Sequence, residues 1–438
     1  KAGRNGRPSG SRQIMKASEL KTKFENGSCD ALLLDLYGDK DMLDMERDRY
    51  LYALTSFIQR FGDLEVSVFT AAGRTEVSGN HTDHQHGRVL AASVNLDSIG
   101  VAARADDVIE VMSDAFPIET LSVSDLEKDP AQEGTSEALI KGVYQGFVND
   151  GYHIGGMKAF VTSNVLAGAG LSSSASFEVL IGCILNGFYN GNDVPLPEIA
   201  KIAQFAENEY FGKPCGLMDQ CACACGGLVT IDFQDPKQPV IEPIPVDFAK
   251  YGHSLCIVDT KGSHADLTDE YAAIPEEMKA VARAMGQEVL RDVQEAEFYA
   301  SLPRLRETCG DRAVLRAIHF FNENRRVPGI VEALKADDFE AFLAGINASG
   351  NSSFEYLQNV FPKGADRQME VALGLALAQQ ALEGTGASRV HGGGFAGTIQ
   401  AFVPDEKVPA FRDLVESCFG EGSCHVLKIR KYGGHQVL

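Results

Sequence analysis

The sequence lacks any long apolar run. One of its longer runs, residues 179–185, is followed at once by Asn186 and Gly187. A membrane-spanning helix needs about 20 consecutive apolar residues, so we expect no membrane segment. A secretory signal is also missing, because the basic residues near the start are followed by no apolar segment. We expect the first 14 residues to be a disordered tail, or a foreign remnant ahead of Met15.

Positive charge is scarce. The chain has 40 Lys and Arg against 61 Asp and Glu, which gives a net charge of −21. No basic stripe is present that could release counterions from a nucleic acid, so a nucleic-acid partner is disfavoured. A single nucleotide is not excluded, because backbone dipoles and a magnesium ion can hold one anion.

The chain contains ten cysteines but no CxxC pair. Free, reduced cysteines in a chain of this length favour a cytoplasmic location. Cys221, Cys223 and Cys225 alternate with alanine and could be proposed as metal ligands. We favour the alternative, in which the thiols pack on one face of a strand or around a helix.

The composition is that of a globular protein with a sizeable core. The 438 residues are 44% hydrophobic and 23% charged, and this length predicts about two or three domains. Strands with interspersed helices, without regular βαβ alternation, predict the α+β class. We predict an N-terminal extension over 1–50, partly disordered, and two domains over 51–240 and 241–438. The proline-rich segment 236–245 is the candidate hinge between them.

Hydrophobic periodicity predicts the main elements. Residues 275–382 are predicted to be mostly helical. The other predicted helices are 44–61, 173–190, 197–211 and 407–418. The predicted strands are 64–70, 89–96, 157–163, 228–233, 254–259, 398–403 and 425–431.

The first chemical motif is GAGLSSSA at 168–175, between a predicted strand and a predicted helix. Its glycines let the backbone approach an anion, and its serines open a helix whose free N–H groups suit phosphate. One hydroxyl could also bind magnesium. The alternative is a serine-capped helix after a glycine turn. The spacing matches neither GxxxxGKS nor GxGxxG.

The second motif, residues 73–87, concentrates functional side chains between two glycines. They are Arg74, Glu76, His81, Asp83, His84 and His86. A sugar site needs such a set, because carboxylates, imidazoles and amides fix hydroxyl groups. A metal site or a polar surface loop would be the alternatives. We favour a sugar site because of the density of functional groups in one loop.

Two further motifs lie later in the chain. In GKPCGLMDQ, at 212–220, Asp219 follows Leu217 and Met218, and partial desolvation would favour proton acceptance by its carboxylate. Alternatively, Asp219 caps the next helix. The segment GGGFAG at 392–397 is either a loop that closes over a site or a simple turn.

Together and in this order, the motifs resemble the galactokinase family, within the GHMP sugar and mevalonate kinases. The family signature GRxNLIGEHxDY is similar to residues 73–84, and GGGLSSSAS is similar to 168–176. PCGIMDQ matches 214–220 nearly letter for letter, and GGGFGG matches 392–397 with Ala396 for one glycine. The resemblance extends from about Phe57 to the C-terminus and leaves residues 1–50 outside.

This resemblance implies a two-domain GHMP kinase fold with the active site at the domain interface. It implies ATP-dependent phosphorylation of the anomeric hydroxyl of galactose, with ATP and Mg²⁺ as cofactors. The partners would be the sugar and ATP, without nucleic acid or membrane, in the cytoplasm. The oligomeric state stays open.

The resemblance also assigns site residues by position. Asp219 falls on the catalytic aspartate, and Arg74 falls on the cation that assists it. Glu207 falls on the magnesium carboxylate, with the hydroxyl of Ser173 or Ser174 as its companion. The implied sugar contacts are His81, Asp83, Gly216, Tyr271 and the position of Asn80. The implied triphosphate contacts are Gly168, Gly170, Ser172 and Ser173.

Three residues depart from the family pattern. Asn80 stands where the family has a glutamate that contacts galactose, Glu76 stands where it has asparagine, and His84 replaces a tyrosine. The preference at carbon 6 of the sugar is therefore open. A uronic acid, an N-acetylated galactosamine and arabinose are the alternatives, unless Glu76 replaces the missing carboxylate. On this view Asn80→Glu would favour galactose, or leave it unharmed, and reduce any activity on galacturonic acid.

A different class of function is a catalytically idle sugar sensor. Relatives of that kind tend to lose the Ser-Ala of the phosphate loop, whereas Ser174, Ala175 and Asp219 are present here. A plain ATP-binding module would not need His81 and Asp83. Both alternatives are therefore disfavoured.

Overall fold

The structure, a computed structural model, describes residues 14–114, 118–166, 170–213 and 215–438. Nearly all of the predicted tail, and Gly168 and Pro214 of the two motifs, lie outside these residues. None of the helices in the described stretches combines the length and apolar character that crossing a membrane requires.

Strands and helices alternate irregularly along the chain. The strands are β1 (Met15–Lys16), β2 (Glu65–Ser78), β3 (Arg88–Ala105), β4 (Val108–Ser113), β5 (Leu121–Ser122), β6 (Gly156–Ser163), β7 (Leu228–Asp232), β8 (Val240–Ile244), β9 (His253–Asp259), β10 (Ala387–Val390), β11 (Thr398–Pro404), β12 (Cys424–Leu427) and β13 (His435–Gln436). The first helices are α1 (Ala17–Glu25), α2 (Asp30–Tyr37), α3 (Leu43–Phe61), α4 (Ser136–Asn149), α5 (Ser173–Tyr189), α6 (Leu196–Phe205) and α7 (Met218–Cys225). The later ones are α8 (Thr268–Ala284), α9 (Glu295–Ala300), α10 (Leu302–Cys309), α11 (Asp311–Lys335), α12 (Phe339–Ser352), α13 (Glu370–Leu382) and α14 (Val408–Phe419). Irregular π-helical turns, Ala206–Phe211 and Ser353–Leu357, follow α6 and α12.

Two sheets organise the described residues. The first has nine strands around the path β1-β2-β3-β6-β4-β5, with β13 on β2 and β7 and β8 continuing from β3. Its pairs are antiparallel except β4 with β6. The second has four antiparallel strands in the order β10-β11-β9-β12. The mixed architecture confirms the α+β prediction.

Both faces of the first sheet are covered by helices. Alternate side chains of β3 point in opposite directions, so Ile99 and Val101 pack in the core with α1–α3, while Ala102 packs in the core with α4–α7. This explains why β2 and β3 carry long, nearly continuous runs of buried residues.

The described part of the N-terminal extension is folded. Helices α1 and α3 bury Leu20, Phe24, Leu54 and Phe57 against this sheet. Helices α1 to α3 therefore contribute side chains to the core, and most of the predicted disordered tail lies outside the described residues. The predicted hinge also contains structure, because β8 pairs with β7 as an edge strand, where Pro243 is tolerated.

Candidate active site

The site lies where loops of the two sheets meet. Strand β2 brings Arg74, the start of α7 brings Asp219, and the segment ahead of α5 brings Ser172. The β10–β11 connection brings Gly392–Gly397 from the second sheet to the same region. Asn80, which follows β2, donates a hydrogen bond to the Gly392 carbonyl. The motifs predicted from sequence therefore converge in space.

Arg74 and Asp219 form a direct ion pair. Arg74 Nε donates to Asp219 Oδ1 at 2.7 Å, and Arg74 Nη1 donates to the Gly170 carbonyl. A register shift between Ala72 and Arg74 in the β2–β3 ladder shows a bulge, which can re-aim a side chain. Ser172 Oγ donates to Asp219 Oδ2 at 2.5 Å. The aspartate, the arginine and the phosphate loop are thus one hydrogen-bonded unit.

The electrostatics of Asp219 set burial against the charge of Arg74. Burial alone would raise its pKa, but the Arg74 charge and the hydrogen bonds from Arg74 and Ser172 outweigh burial and hold the pKa below its ordinary value. Asp219 is therefore ionised at neutral pH. Its carboxylate is held in place by Arg74 and Ser172.

The phosphate motif opens α5 without a side-chain cap. Gly170 and Ser172 both have left-handed backbones, with φ of +70° and +58°. The Ser172 hydroxyl bonds to Asp219 and does not cap the helix, so the serine-capped alternative does not describe this turn. Ser173 is the first residue of α5. The N-terminus of α5 therefore suits an anion. This agrees in position with the predicted phosphate contacts Gly170, Ser172 and Ser173.

Hard oxygen donors lie next to this helix start. Ser174 Oγ lies 3.3 Å from Glu207 Oε1. The other carboxylate oxygen of Glu207, Oε2, accepts a 2.8 Å hydrogen bond from Gln220 Nε2. The Lys213 ammonium group is 3.8 Å from Glu207, and its side chain is mostly exposed. Hydroxyl and carboxylate oxygens are the ligands that Mg²⁺ prefers, so Ser174 and Glu207 fit the predicted metal role.

Sequence analysis missed a second carboxylate at this place. Glu178 is fully buried, and burial together with the neighbouring Glu207 raises its pKa well above the ordinary value. Glu178 Oε1 has no hydrogen-bond partner among the described residues. Glu178 lies four residues after Ser174, on the same face of α5, so helical spacing could have identified it.

Asp83 and Gly216 are brought together as predicted. A Cβ atom built on Gly216 would lie 3.0 Å from Asp83 Oδ2, so only glycine leaves the carboxylate unobstructed. Both residues line a cavity of about 480 Å³. His81, in a left-handed conformation, contacts the Gly393 carbonyl at 3.0 Å through Nε2, and Tyr271 donates to the Gly394 carbonyl at 2.9 Å.

His84 lines the same cavity. The Leu290 N–H donates to Gln85 Oε1, so the Gln85 amide nitrogen is oriented to donate to His84 Nδ1 at 3.1 Å. Burial lowers the pKa of His84 to about 4, so the ring is neutral and carries its proton on Nε2. That nitrogen has no partner among the described residues.

Asn80 is placed differently from the other predicted sugar contacts. It is 1% exposed, and its Nδ2 donates to Glu76 Oε1 and to the Gly392 carbonyl, each at 2.8 Å. Its Oδ1 accepts from Ser353 and Asn359. All four hydrogen-bonding positions of the amide are therefore filled by protein groups, which leaves none for a sugar in this structure.

Glu76 is also held by protein groups. It is buried, and Arg389 Nη2 donates to Glu76 Oε1 at 3.1 Å. Burial raises the pKa of Glu76, and the charges of Arg389 and Arg74 oppose this rise. The Oε1 atom of Glu76, which accepts from Asn80 and from Arg389, is therefore occupied by protein groups.

Comparison with known proteins agrees with the site. The model of the GHMP kinases N terminal domain matches residues 138–227, and the galactokinase galactose-binding signature matches residues 55–104. A galactokinase of Glaesserella parasuis is 33% identical over 82% of this chain and 91% of its own length. The chain belongs to the galactokinase family. A galactokinase of Streptomyces coelicolor is 32% identical over 83% of this chain and 91% of its own.

Solved structures confirm the fold of this galactokinase-family chain. A Lactococcus lactis galactokinase complexed with galactose matches with a TM-score of 0.71 and 26% identity, over 87% of this chain and 98% of that one. A mevalonate kinase matches with a TM-score of 0.59 and 14% identity, over 83% and 99% of the two chains. The predicted GHMP kinase fold is thus confirmed. The signature match spans Glu76 and Asn80, so those departures lie inside the matched signature.

Proposed function

We propose that this protein transfers the γ-phosphoryl group of ATP to the anomeric hydroxyl of galactose, giving galactose 1-phosphate and ADP. The observation that carries the proposal is the Arg74–Asp219 pair, bonded to Gly170 and Ser172 of the phosphate loop, in a chain of the galactokinase family. The enzyme class is therefore a galactose kinase.

The reaction is a direct in-line transfer. Asp219 orients the anomeric hydroxyl and receives its proton as the oxygen bonds to the γ-phosphorus, while the bond to the bridging oxygen of ADP breaks. Arg74 keeps Asp219 ionised and offsets negative charge on the transferring group. The N-terminus of α5 at Ser173 faces the phosphates with its N–H groups.

Ser174 and Glu207 would hold Mg²⁺, which when bound neutralises charge on the phosphate oxygens. Among the sugar contacts, Asp83 and Gly216 shape one wall of the cavity, and His81 and Tyr271 form another group beside the glycine segment. We also propose a cytoplasmic location, which the free state of all ten cysteines supports.

A sugar panel tests the proposed substrate. Purified protein with ATP and Mg²⁺ should release ADP with galactose at a rate at least about tenfold above that with galacturonic acid, N-acetylgalactosamine or arabinose. The reason is that Asp83 and Gly216 are retained in a chain of the galactokinase family. A faster rate with galacturonic acid than with galactose would show that galacturonic acid is the preferred substrate and would overturn the galactose assignment.

Glu207→Gln should weaken the magnesium dependence selectively. We expect the magnesium concentration for half-maximal rate to rise about tenfold or more, with the galactose KM within about threefold of wild type, because an amide is a poor magnesium ligand. The matched control is Glu209→Gln, an exposed carboxylate in the same π-helical turn. An unchanged magnesium titration in Glu207→Gln would remove Glu207 from the metal site.

A further inference from the structure

Three consecutive backbone carbonyls of the glycine segment accept hydrogen bonds from side chains. The Gly392 carbonyl accepts from Asn80, and the Gly394 carbonyl accepts from Tyr271. The Gly393 carbonyl lies 3.1 Å from Asn359 Nδ2 and 3.0 Å from His81 Nε2. Gly392 and Gly394 have φ of +70° and +85°, a conformation that favours glycine. The segment is therefore held by side chains from several distant parts of the chain.

Asn80 is the central residue of this arrangement. Its amide joins the Gly392 carbonyl to Glu76 on one side and to Asn359 and Ser353 on the other. Asn359 in turn bonds the Gly393 carbonyl, so Asn80 supports two of the three carbonyls, one directly and one through Asn359. Only an amide supplies both the two donors and the acceptor that this requires, since a carboxylate cannot donate.

Glu76 links Asn80 to the strand that precedes the glycine segment. Its partner Arg389 lies on β10, the strand that leads into the glycine segment, and is fully buried. Arg389 also donates to the Val77 carbonyl and to Ser349. The carboxylate of Glu76 therefore links the root of the glycine segment to Asn80.

We propose that Glu76 and Asn80 form one positioning unit, which fixes the Gly392–Gly394 segment beside His81 and Tyr271, and that Asn80 acts on sugar binding through this segment. The inference rests on the proposed galactose kinase activity. It also accounts for the sequence departures together, because the family motif has asparagine and glutamate where this chain has Glu76 and Asn80. One amide and one carboxylate are kept, in exchanged positions.

The test combines hydrogen exchange with kinetics in Asn80→Ala. We expect the backbone amides of the 392–397 segment to exchange about tenfold faster or more. The galactose KM should rise about tenfold, with the ATP KM within about threefold, because the loosened segment borders the sugar residues. The matched control is Asn347→Ala, whose amide bonds the Gly386 carbonyl and the Ser388 N–H but not the glycine segment. It should change neither quantity.

Each other outcome has a defined meaning. A raised galactose KM with unchanged exchange of 392–397 would overturn the proposal in favour of direct contact between Asn80 and the sugar. An unchanged galactose KM would also overturn it, whether or not the exchange of 392–397 is faster. If Asn80→Ala does not fold, Asn80→Ser replaces it under the same criteria. Hydrogen exchange needs no sugar, so it decides the role of Asn80 even if galactose proves not to be the substrate.

Discussion

Asp219→Asn is expected to lower turnover by about a thousandfold while galactose and ATP still bind. The amide keeps the shape of the side chain and can still accept a hydrogen bond from Ser172. It cannot take a proton from the anomeric hydroxyl, and it leaves Arg74 without its charge partner. The measurements are kcat from ADP release and dissociation constants from calorimetry.

The control for Asp219→Asn is a second aspartate paired with arginine. Asp232, at the end of β7, bonds Arg88 and Arg291 and has a side chain 26% exposed, close to the 33% of Asp219. Asp232→Asn removes a comparable ion pair outside the site, so its kcat should stay within about threefold of wild type. Near-normal turnover in Asp219→Asn would remove Asp219 from the catalytic role.

Asn80→Glu is expected to destabilise the folded protein strongly. The new carboxylate would lie against Glu76, where Asn80 now donates at 2.8 Å, and the Gly392 carbonyl would lose its donor. A buried charge without a compensating partner costs roughly 3–5 kcal/mol, and we expect a loss of unfolding free energy of that order. Denaturant unfolding of wild type and variant measures it.

The pH dependence of this loss has a definite sign. Two adjacent buried carboxylates raise each other's pKa above the unfolded value, so the folded variant binds more protons than its unfolded chain. Its stability is therefore lost as pH rises through the raised pKa, and the deficit should shrink on acidification. A deficit that grows on acidification would contradict the account of this contact.

The exchanged double variant Glu76→Asn with Asn80→Glu provides the matched control. It restores one amide and one carboxylate in contact. We expect it to recover at least about half of the stability that Asn80→Glu loses, as coupled neighbours do. Purely additive losses in the double variant would show that the two residues do not act as a unit.

Asn80 shows where sequence analysis reached its limit. The sequence suggested that a glutamate at this position would serve galactose, because only the sugar was considered as its partner. In the structure, protein groups instead occupy all four hydrogen-bonding positions of the Asn80 amide. Arg389, the ion-pair partner of Glu76, follows it by 313 positions in the sequence. No local pattern reveals such a partner. The expected effect of Asn80→Glu is accordingly reversed, from neutral or favourable to damaging.

The contact between Arg74 and Asp219 was predictable because each motif is local. Arg74, Ser172 and Asp219 lie in short segments with distinctive spacing, and the fold brings these segments together. How far the Arg74 charge outweighs burial in setting the pKa of Asp219 was not predictable, because it depends on the three-dimensional packing.

Helices and strands were also predictable where the local pattern is regular, and less so where burial depends on distant partners. Helix α3 was placed within one residue at its start, since its apolar face repeats regularly. Strand β2 was predicted to end at residue 70 but continues to Ser78. Its second half contains the buried polar residues Arg74 and Glu76, which form ion pairs with Asp219 and Arg389. The alternation of apolar and polar residues along a strand cannot predict that such charged residues are buried.

The central claim is that this site phosphorylates the anomeric hydroxyl of galactose. The most direct measurement is phosphorus NMR of the product formed from galactose, ATP and Mg²⁺ by wild type and by Asp219→Asn. The account predicts galactose 1-phosphate with wild type and almost none with the variant over the same time. A phosphate on another carbon, ATP hydrolysis without sugar phosphate, or equal product from both proteins would contradict it.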